Sequence, residues 1–472
     1  MNIDRRNFLK ATGLTLSGAM LSACSTNTNP VPPIAGTDGI LPNGYRFYSI
    51  KRNTDALPGG QGQLLRLDAA IDSHGRVVYG AVDSAERIGL YRLGLDFSAD
   101  VPRVTREERL VRTDDMLDGR KVVELNNHDI NRQGQLVLAV KVDTEFLVKT
   151  TDDHGNFDGG TAPMKMQALY ADLGQGLTRV LREHVSNTEG HEFAGMFGDV
   201  TIHENTMIFA ANYYHNTGGH KEVRQGVFQL VGTDGTRASL VVSSGSPLEV
   251  SASAAMISQF GLLSLHDGGQ FVLQITLTPP VESAAKFVAG AAQTAVLRGN
   301  LNTLAPRSLQ TGAATTMRVE ATSIASGLRT REARAIGLTH YAPRSGPNGS
   351  FAHVLNTENA HALIINNRTV MKTGDRSPSG RLVESIATPQ LASDGLTFFM
   401  VSSGSSIELL VTNGQQTRTI LKSGDVLVNH PSPIGDFIGM GYTAMHSDDQ
   451  GRLVFVVSHE DDTQSLVVGL PV

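Results

Sequence analysis

Histidines and acids are the residues best able to do chemistry in this 472-residue chain, and they are unevenly spread. Five of its 15 histidines, His184, His191, His203, His215 and His220, fall within 37 residues, interleaved with Glu189, Glu192 and Glu204. Imidazole with carboxylate is the donor set of a zinc-type site. No His-Glu-x-x-His spacing occurs among them, so no metal is assigned, and no cofactor is implied. Residues 212–222, NYYHNTGGHKE, form the most unusual loop of the chain. Tyr213 and Tyr214 could stack on a ligand. With His203, His215 and His220 they make the first candidate contact surface.

Two acidic patterns invite a cation. In TDDHGNFDGG, residues 151–160, Asp152, His154, Asn156 and Asp158 alternate as the oxygen ligands of a calcium loop do. A histidine is a poor third ligand and no closing glutamate follows, so a polar hairpin tip is expected instead. Asp55, Asp115, Asp375 and Asp425 recur 20, 19, 20 and 26 residues before a turn residue. They could ring a channel, but an aspartate at a tight turn bonds nearby backbone N–H groups, and a structural role repeats in this way. Nucleophile-elbow and phosphate-loop motifs are absent, and so is tryptophan, which excludes tryptophan-built sugar or quinone platforms. The catalytic residues, if the chain has any, are not identified by motif.

The scaffold that would position these residues is a repeat. A turn followed by an apolar strand occurs at Asp72–Tyr79, Asn131–Leu138, His203–Phe209, His266–Leu273, Pro347–Val354, Ser393–Met400 and Asp449–Val456. Asp, Asn and Gly supply the turns, and β-branched or aromatic runs supply the strands. The anchors Gly75, Gly134, Asn205, Gly269, Gly349, Gly395 and Gly451 are 59, 71, 64, 80, 46 and 56 residues apart. A second and a third strand follow, as in Glu408–Val411 and Thr419–Lys422. About four strands per unit of roughly 50 residues predict an all-β, seven-bladed β-propeller of four-stranded blades. Thr144–Met166 and Leu277–Gln293 read as insertions, the second holding a short helix in VESAAKFVAGAAQ. The last unit lacks its final strand, and residues 45–51 stand without a unit in front of them. The N-terminal strand is therefore expected to close the ring and remove a bare edge. The pattern resembles secreted bacterial tandem-repeat propellers over roughly residues 45–470, a resemblance that implies fold and export more than activity.

The N-terminus carries an address. Asp4–Lys10, DRRNFLK, resembles the twin-arginine export signal through Arg5 and Arg6. A 13-residue apolar stretch follows, too short to span a membrane, and ends in Leu21-Ser22-Ala23-Cys24, which resembles the bacterial lipobox. The resemblance implies cleavage after residue 23 and lipidation of Cys24, the only cysteine. Ser25 is not the aspartate that holds such lipoproteins on the inner membrane. An exported, envelope-anchored protein of the outer membrane or facing the periplasm is expected. The expected domains are a signal peptide at 1–23, a tether at 24–43 and the propeller at 44–472. The net charge of −6, with no long basic run, argues against nucleic acid as a partner. The expected partners are the export machinery, the membrane through the lipid, and an envelope protein or small ligand. The reading is a binding or scaffold module, more than an enzyme. An envelope hydrolase or lyase at the mouth of the channel is the alternative.

Overall fold

The computed structural model describes residues 41–58, 60–64, 69–151, 157–195, 197–217, 220–250, 253–266, 269–278, 293–301, 318–322, 339–346, 350–357, 360–366, 368–392, 394–438 and 445–472. Within them one short 3₁₀ turn, Gly235–Arg237, interrupts an otherwise all-β chain. The strands form seven antiparallel sheets, the blades of a β-propeller. Blade 6 shows the plan. Ser385–Leu391, Thr397–Ser403, Ser406–Thr412 and Thr417–Lys422 pair in chain order, from the central channel outward. The second strand is buried at six of its seven positions because both of its faces meet a neighbouring blade. That is why it reads as a continuous apolar run instead of an alternating one.

The innermost strands are broken at a common place. Blades 4, 5 and 6 carry register shifts at Phe260/Leu263, Tyr341/Arg344 and Ala387/Gln390. In blades 1, 3 and 7 the strand is split outright, as in Glu192–Gly195 followed by Val200–His203. Such irregularities let a strand bend around the channel.

The ring closes as the repeat predicts. Tyr45–Arg52 pairs antiparallel with Gln464–Pro471, from Tyr45↔Pro471 to Arg52↔Ser465, and completes blade 7. Each hydrophobic cluster among the described residues lies between two consecutive blades, and seven clusters fill seven seams. Val454, Val456, Leu466 and Val468 of blade 7 pack on Val77, Tyr79 and Tyr91 of blade 1. The N-terminal strand adds polar ties across that seam: Lys51 Nζ lies 2.7 Å from Glu107 Oε2, and the Tyr48 hydroxyl donates to Asp100 O at 2.8 Å.

Three expectations change. NYYHNTGGHKE is not a loop: Thr206–Thr217 and His220–Val231 run as one hairpin up to Thr217↔His220. Likewise the insertion at Thr144–Met166 takes the form of lengthened strands, the long pair Leu136–Thr151 and Phe157–Asp172. Leu41 and Pro42, placed in the tether, belong to the packed domain. Leu41 is 2% exposed, and Pro42 O accepts from Arg418 at 2.8 Å. The helix expected near residues 281–292, the anchor Gly349, and Arg5, Arg6 and Cys24 lie outside the described residues.

Candidate functional site

All seven innermost strands run toward the repeat turns, which therefore share one face of the disc. The hairpins joining second to third strands, and the loops from each outermost strand to the next blade, share the other. The two faces are the turn face and the hairpin face.

A polar cavity of about 190 Å³ opens where the innermost strands converge below the turn face. Its lining includes His128, Asp129, Asp199, His203, His266, Arg132, Arg344 and His446. The strand edges would present bare N–H groups to the channel, and unpaired buried donors cost about 1–3 kcal/mol each. Side chains placed two residues before the turn take up this role. Asp129 of blade 2 accepts from Ile202 N of blade 3 at 3.0 Å. Ser264 of blade 4 accepts from Ser345 N of blade 5 at 3.1 Å. His446 Nδ1 of blade 7 accepts from Ile71 N of blade 1 at 3.2 Å. Asp199, two residues further back in blade 3, accepts from Leu263 N of blade 4 at 3.0 Å. Thr201 Oγ1 adds a bond to Asp129 at 2.6 Å, and Asn127 Nδ2 one to Asp199 at 3.2 Å. These bonds form a partial girdle that ties blade 2 to 3, 3 to 4, 4 to 5 and 7 to 1.

Burial raises the pKa of Asp129 and of Asp199, against the hydrogen bonds that lower it. Burial pushes His446 down to about 4, with Arg344 adding to the fall and Asp72 opposing it. His266 is likewise pushed down to about 4 by burial and by the charges of Arg132 and His203.

A second tier of ties lies in the turns. In blades 1 and 7 the first turn residue, Asp72 or Asp448, accepts through Oδ1 from the N–H groups two and four residues on. Its Oδ2 holds Arg76 or Arg452. Each arginine then reaches the turn of the next blade: Arg76 to Gln133 O, and Arg452 to Ser73 O at 2.8 Å. Blade 2 repeats the cap with Asn131, whose Nδ2 donates to Glu204 O at 2.9 Å. The recurring aspartates of the other face are turn residues too. Asp55, Asp375 and Asp425 each accept the N–H three residues earlier, at 2.7, 2.9 and 2.9 Å. Asp115 instead faces Arg109 at 3.4 Å.

The candidate contact residues are not gathered in one place. His203 lines the cavity at the turn face. Tyr214, His215 and His220 stand at the far end of the blade 3 hairpin, on the opposite face. Tyr213 is buried among Phe193, Phe228 and His191, with its hydroxyl 2.8 Å from Ser243 Oγ, and offers no surface to a ligand. Among the described residues no three His, Cys, Asp or Glu side chains converge on a possible metal position. Asp152, His154 and Asn156 lie outside those residues. Sequence reasoning missed Asp129, Asp199, Arg132, His266, Arg344 and His446. The available signal was a polar side chain two positions ahead of the repeat turn, as at Asp129, Ser264 and His446.

The hairpin face is asymmetric. Second strands have seven residues in blades 5, 6 and 7 but 16 in blade 2 and 12 in blade 3. At about 3.3 Å per residue, the blade 2 second strand outruns that of blade 1 by roughly 25 Å and that of blade 3 by roughly 13 Å. Beside them, Pro247–Val250 pairs with the start of the long blade 4 strand Ser253–His266. Blades 2 to 4 thus raise a wall on one side of this face. Lys221 sits over the Tyr214 ring at 5.1 Å and pairs with Glu192 at 2.9 Å on that wall.

No known family's sequence model matches this chain, and no curated protein is similar to it in sequence. Solved structures do resemble it. The Dos1 propeller is 11% identical, with 89% of this chain and 94% of that one covered at a TM-score of 0.41. The β-propeller domain of the Trilobed protease from Pyrococcus furiosus is 9% identical, with 86% and 93% covered at 0.42. A Trypanosoma rangeli sialidase in complex with sialic acid is 8% identical at 0.36. The match covers 92% of this chain but only 59% of the sialidase. The propeller assignment itself stands on the seven sheets and their closure.

Proposed function

We propose that this protein is a lipid-anchored binding module of the bacterial cell envelope that holds its partner on the hairpin face. The observation carrying this is the wall raised by blades 2 to 4, where the repeats differ most, since repeat scaffolds place function in such departures. A distribution of apolar side chains supports it. Eight large apolar side chains are exposed among the described residues, and Met116, Val223, Leu382, Val426 and Val428, five of them, sit on this face. Leu41, the first described residue, sits beside blade 6 at the turn face, the face opposite the proposed partner. Arg5 and Arg6 direct export, and the acyl chains on Cys24 hold the protein at the membrane.

The alternative, a hydrolase or lyase at the channel mouth, would draw on Asp129 and Asp199, whose raised pKa suits a general acid. Both carboxyl groups already bind a neighbouring blade, which favours the structural role.

Copurification from envelopes tests the reading. Wild type, Cys24→Ala, and a variant with residues 144–164 replaced by Asn-Gly are compared. Cys24→Ala is expected in the soluble fraction. The trimmed variant is expected to stay membrane-bound and folded but to retain its partner at least ~10-fold less well, as removal of a central contact does. A membrane-bound Cys24→Ala refutes the anchor. Unchanged retention by the trimmed variant refutes the face.

A further inference from the structure

We propose that His430 and His459 form an acid-sensitive clasp on the ring closure, which frees the end of the N-terminal strand when the pair takes up a proton. His430 lies on the loop that enters blade 7, and His459 ends the second strand of that blade. Their rings stack face to face, with centroids 3.5 Å apart and planes at 11°. Both are buried, at 5% and 3% exposed.

The hydrogen bonds suit two neutral rings. His459 Nδ1 lies 3.0 Å from Ser432 O and must donate to it. Its Nε2, 2.8 Å from Ser465 Oγ, is left to accept. Ser465 Oγ in turn lies 2.9 Å from Ser49 Oγ on the N-terminal strand. Thr463 gives its hydroxyl proton to Asp461 Oδ1 at 2.6 Å, so it accepts from His430 Nε2 at 3.0 Å. His430 Nδ1 is left to accept from Ser432 N at 3.2 Å. The Ser432 peptide thus bridges the two rings, and all four ring nitrogens are engaged. An added proton on His430 Nδ1 breaks the Ser432 N–H bond and crowds Ser432 O, 3.1 Å away, with a second donor. On His459 it reverses the hydroxyls of Ser465 and Ser49. Either way it puts charge into a buried stack, where a second charge is repelled. Ser465 beside His459 resembles a nucleophile and its base, but Ser465 is 0% exposed, beyond the reach of a substrate.

The elements around the pair carry Asp425, Asp436, Glu460, Asp461, Asp462, Lys51 and Arg52. Lys51 is paired with Glu107, and Asp425 binds Lys422 N. Glu460 and Asp462 are exposed, where water screens them. Arg52 donates to Asn429 O, next to His430, and disfavours a cation there. Asp461 favours one and acts on both rings. At His459 burial and the neighbouring His430 outweigh Asp461 and hold the pKa below the ordinary imidazole value. Opening lets the ring take the proton. Closure therefore holds above about pH 6.5, the unfolded value, and weakens as pH falls below it.

Hydrogen exchange of the full chain in detergent at pH 7.5 and 5.0, read by mass spectrometry and corrected for intrinsic rates, tests this. In wild type the protection of Tyr45–Arg52 should fall at least ~10-fold at pH 5.0 relative to that of the blade 6 strand Thr397–Ser403. With His430→Gln and His459→Gln combined, neither ring titrates, and the ratio should hold within ~3-fold. Unchanged protection in wild type, a parallel fall in both segments, or the same fall in the double variant would overturn the clasp. Should the double variant not fold, imidazole NMR of the wild type decides. His459 should titrate below about pH 6.5, and titration at or above it would overturn the proposal.

Discussion

Single residues here hold blades to one another more than they do chemistry. Arg452 is 7% exposed; it pairs with Asp448, donates to Asp72 O and Ser73 O, and lies 4.4 Å over the Phe97 ring. Arg452→Ala should cost about 2–4 kcal/mol in denaturant unfolding, because it strands buried acceptors and a buried acid. A loss below about 0.5 kcal/mol, typical of a surface pair, would contradict the latch. The Asp-x-x-Gly turn was legible from its residue types. Its partner was not, because the carbonyls that Arg452 reaches lie 380 and 379 residues away in sequence. His446 gives a pH dependence. Its folded pKa, about 4, is below the unfolded value, so the unfolded chain binds the extra proton as pH falls below about 6.5. The stability it permits is present above that pH and is lost between there and 4, as protonated Nδ1 can no longer accept from Ile71. His446→Asn keeps an acceptor that does not titrate. Wild type should lose roughly 2 kcal/mol more than the variant between pH 6.5 and 4.5, by thermal unfolding. Parallel pH profiles would show that His446 does not govern the seam.

At the scale of elements, the N-terminal strand decides whether the propeller is a ring or an open arc. It covers the edge of Gln464–Pro471, and Phe47 packs on Tyr45 and Phe455 at 5.8 and 5.9 Å. Gly469 opposite it leaves room for that ring, since a Cβ there would meet Phe47. Deleting residues 44–51 should lower the melting temperature and promote aggregation through the bared edge. Unchanged melting and a monodisperse product would contradict closure by this strand. The split unit was legible because a repeat lacking one strand must borrow it. The blade 3 hairpin was misread as a loop for a physical reason. At the end of a hairpin that outruns those of blades 5 to 7, Tyr214 to Lys221 carry the polar residues of a loop although the backbone stays paired. The girdle was illegible because Asp129, Ser264 and His446 play one part with three different side chains. The partner in each case is a backbone N–H, which accepts any of them.

The whole molecule divides labour between its faces. The turn face carries the arginine latches and Leu41, the first described residue. The hairpin face carries the projecting strands and most of the exposed apolar side chains, and the proposed partner sits there. The repeat made the disc legible from sequence. It could not show which insertions share a face, since that depends on the alternation of strand direction through every blade. Site-specific photocrosslinking in intact envelopes tests this division most directly, with the crosslinker placed at Tyr214 or His215 on one face and at His74 on the other. The account predicts one discrete adduct from the hairpin-face positions and none from His74. Adducts from His74 alone, or equally from both faces, would contradict it.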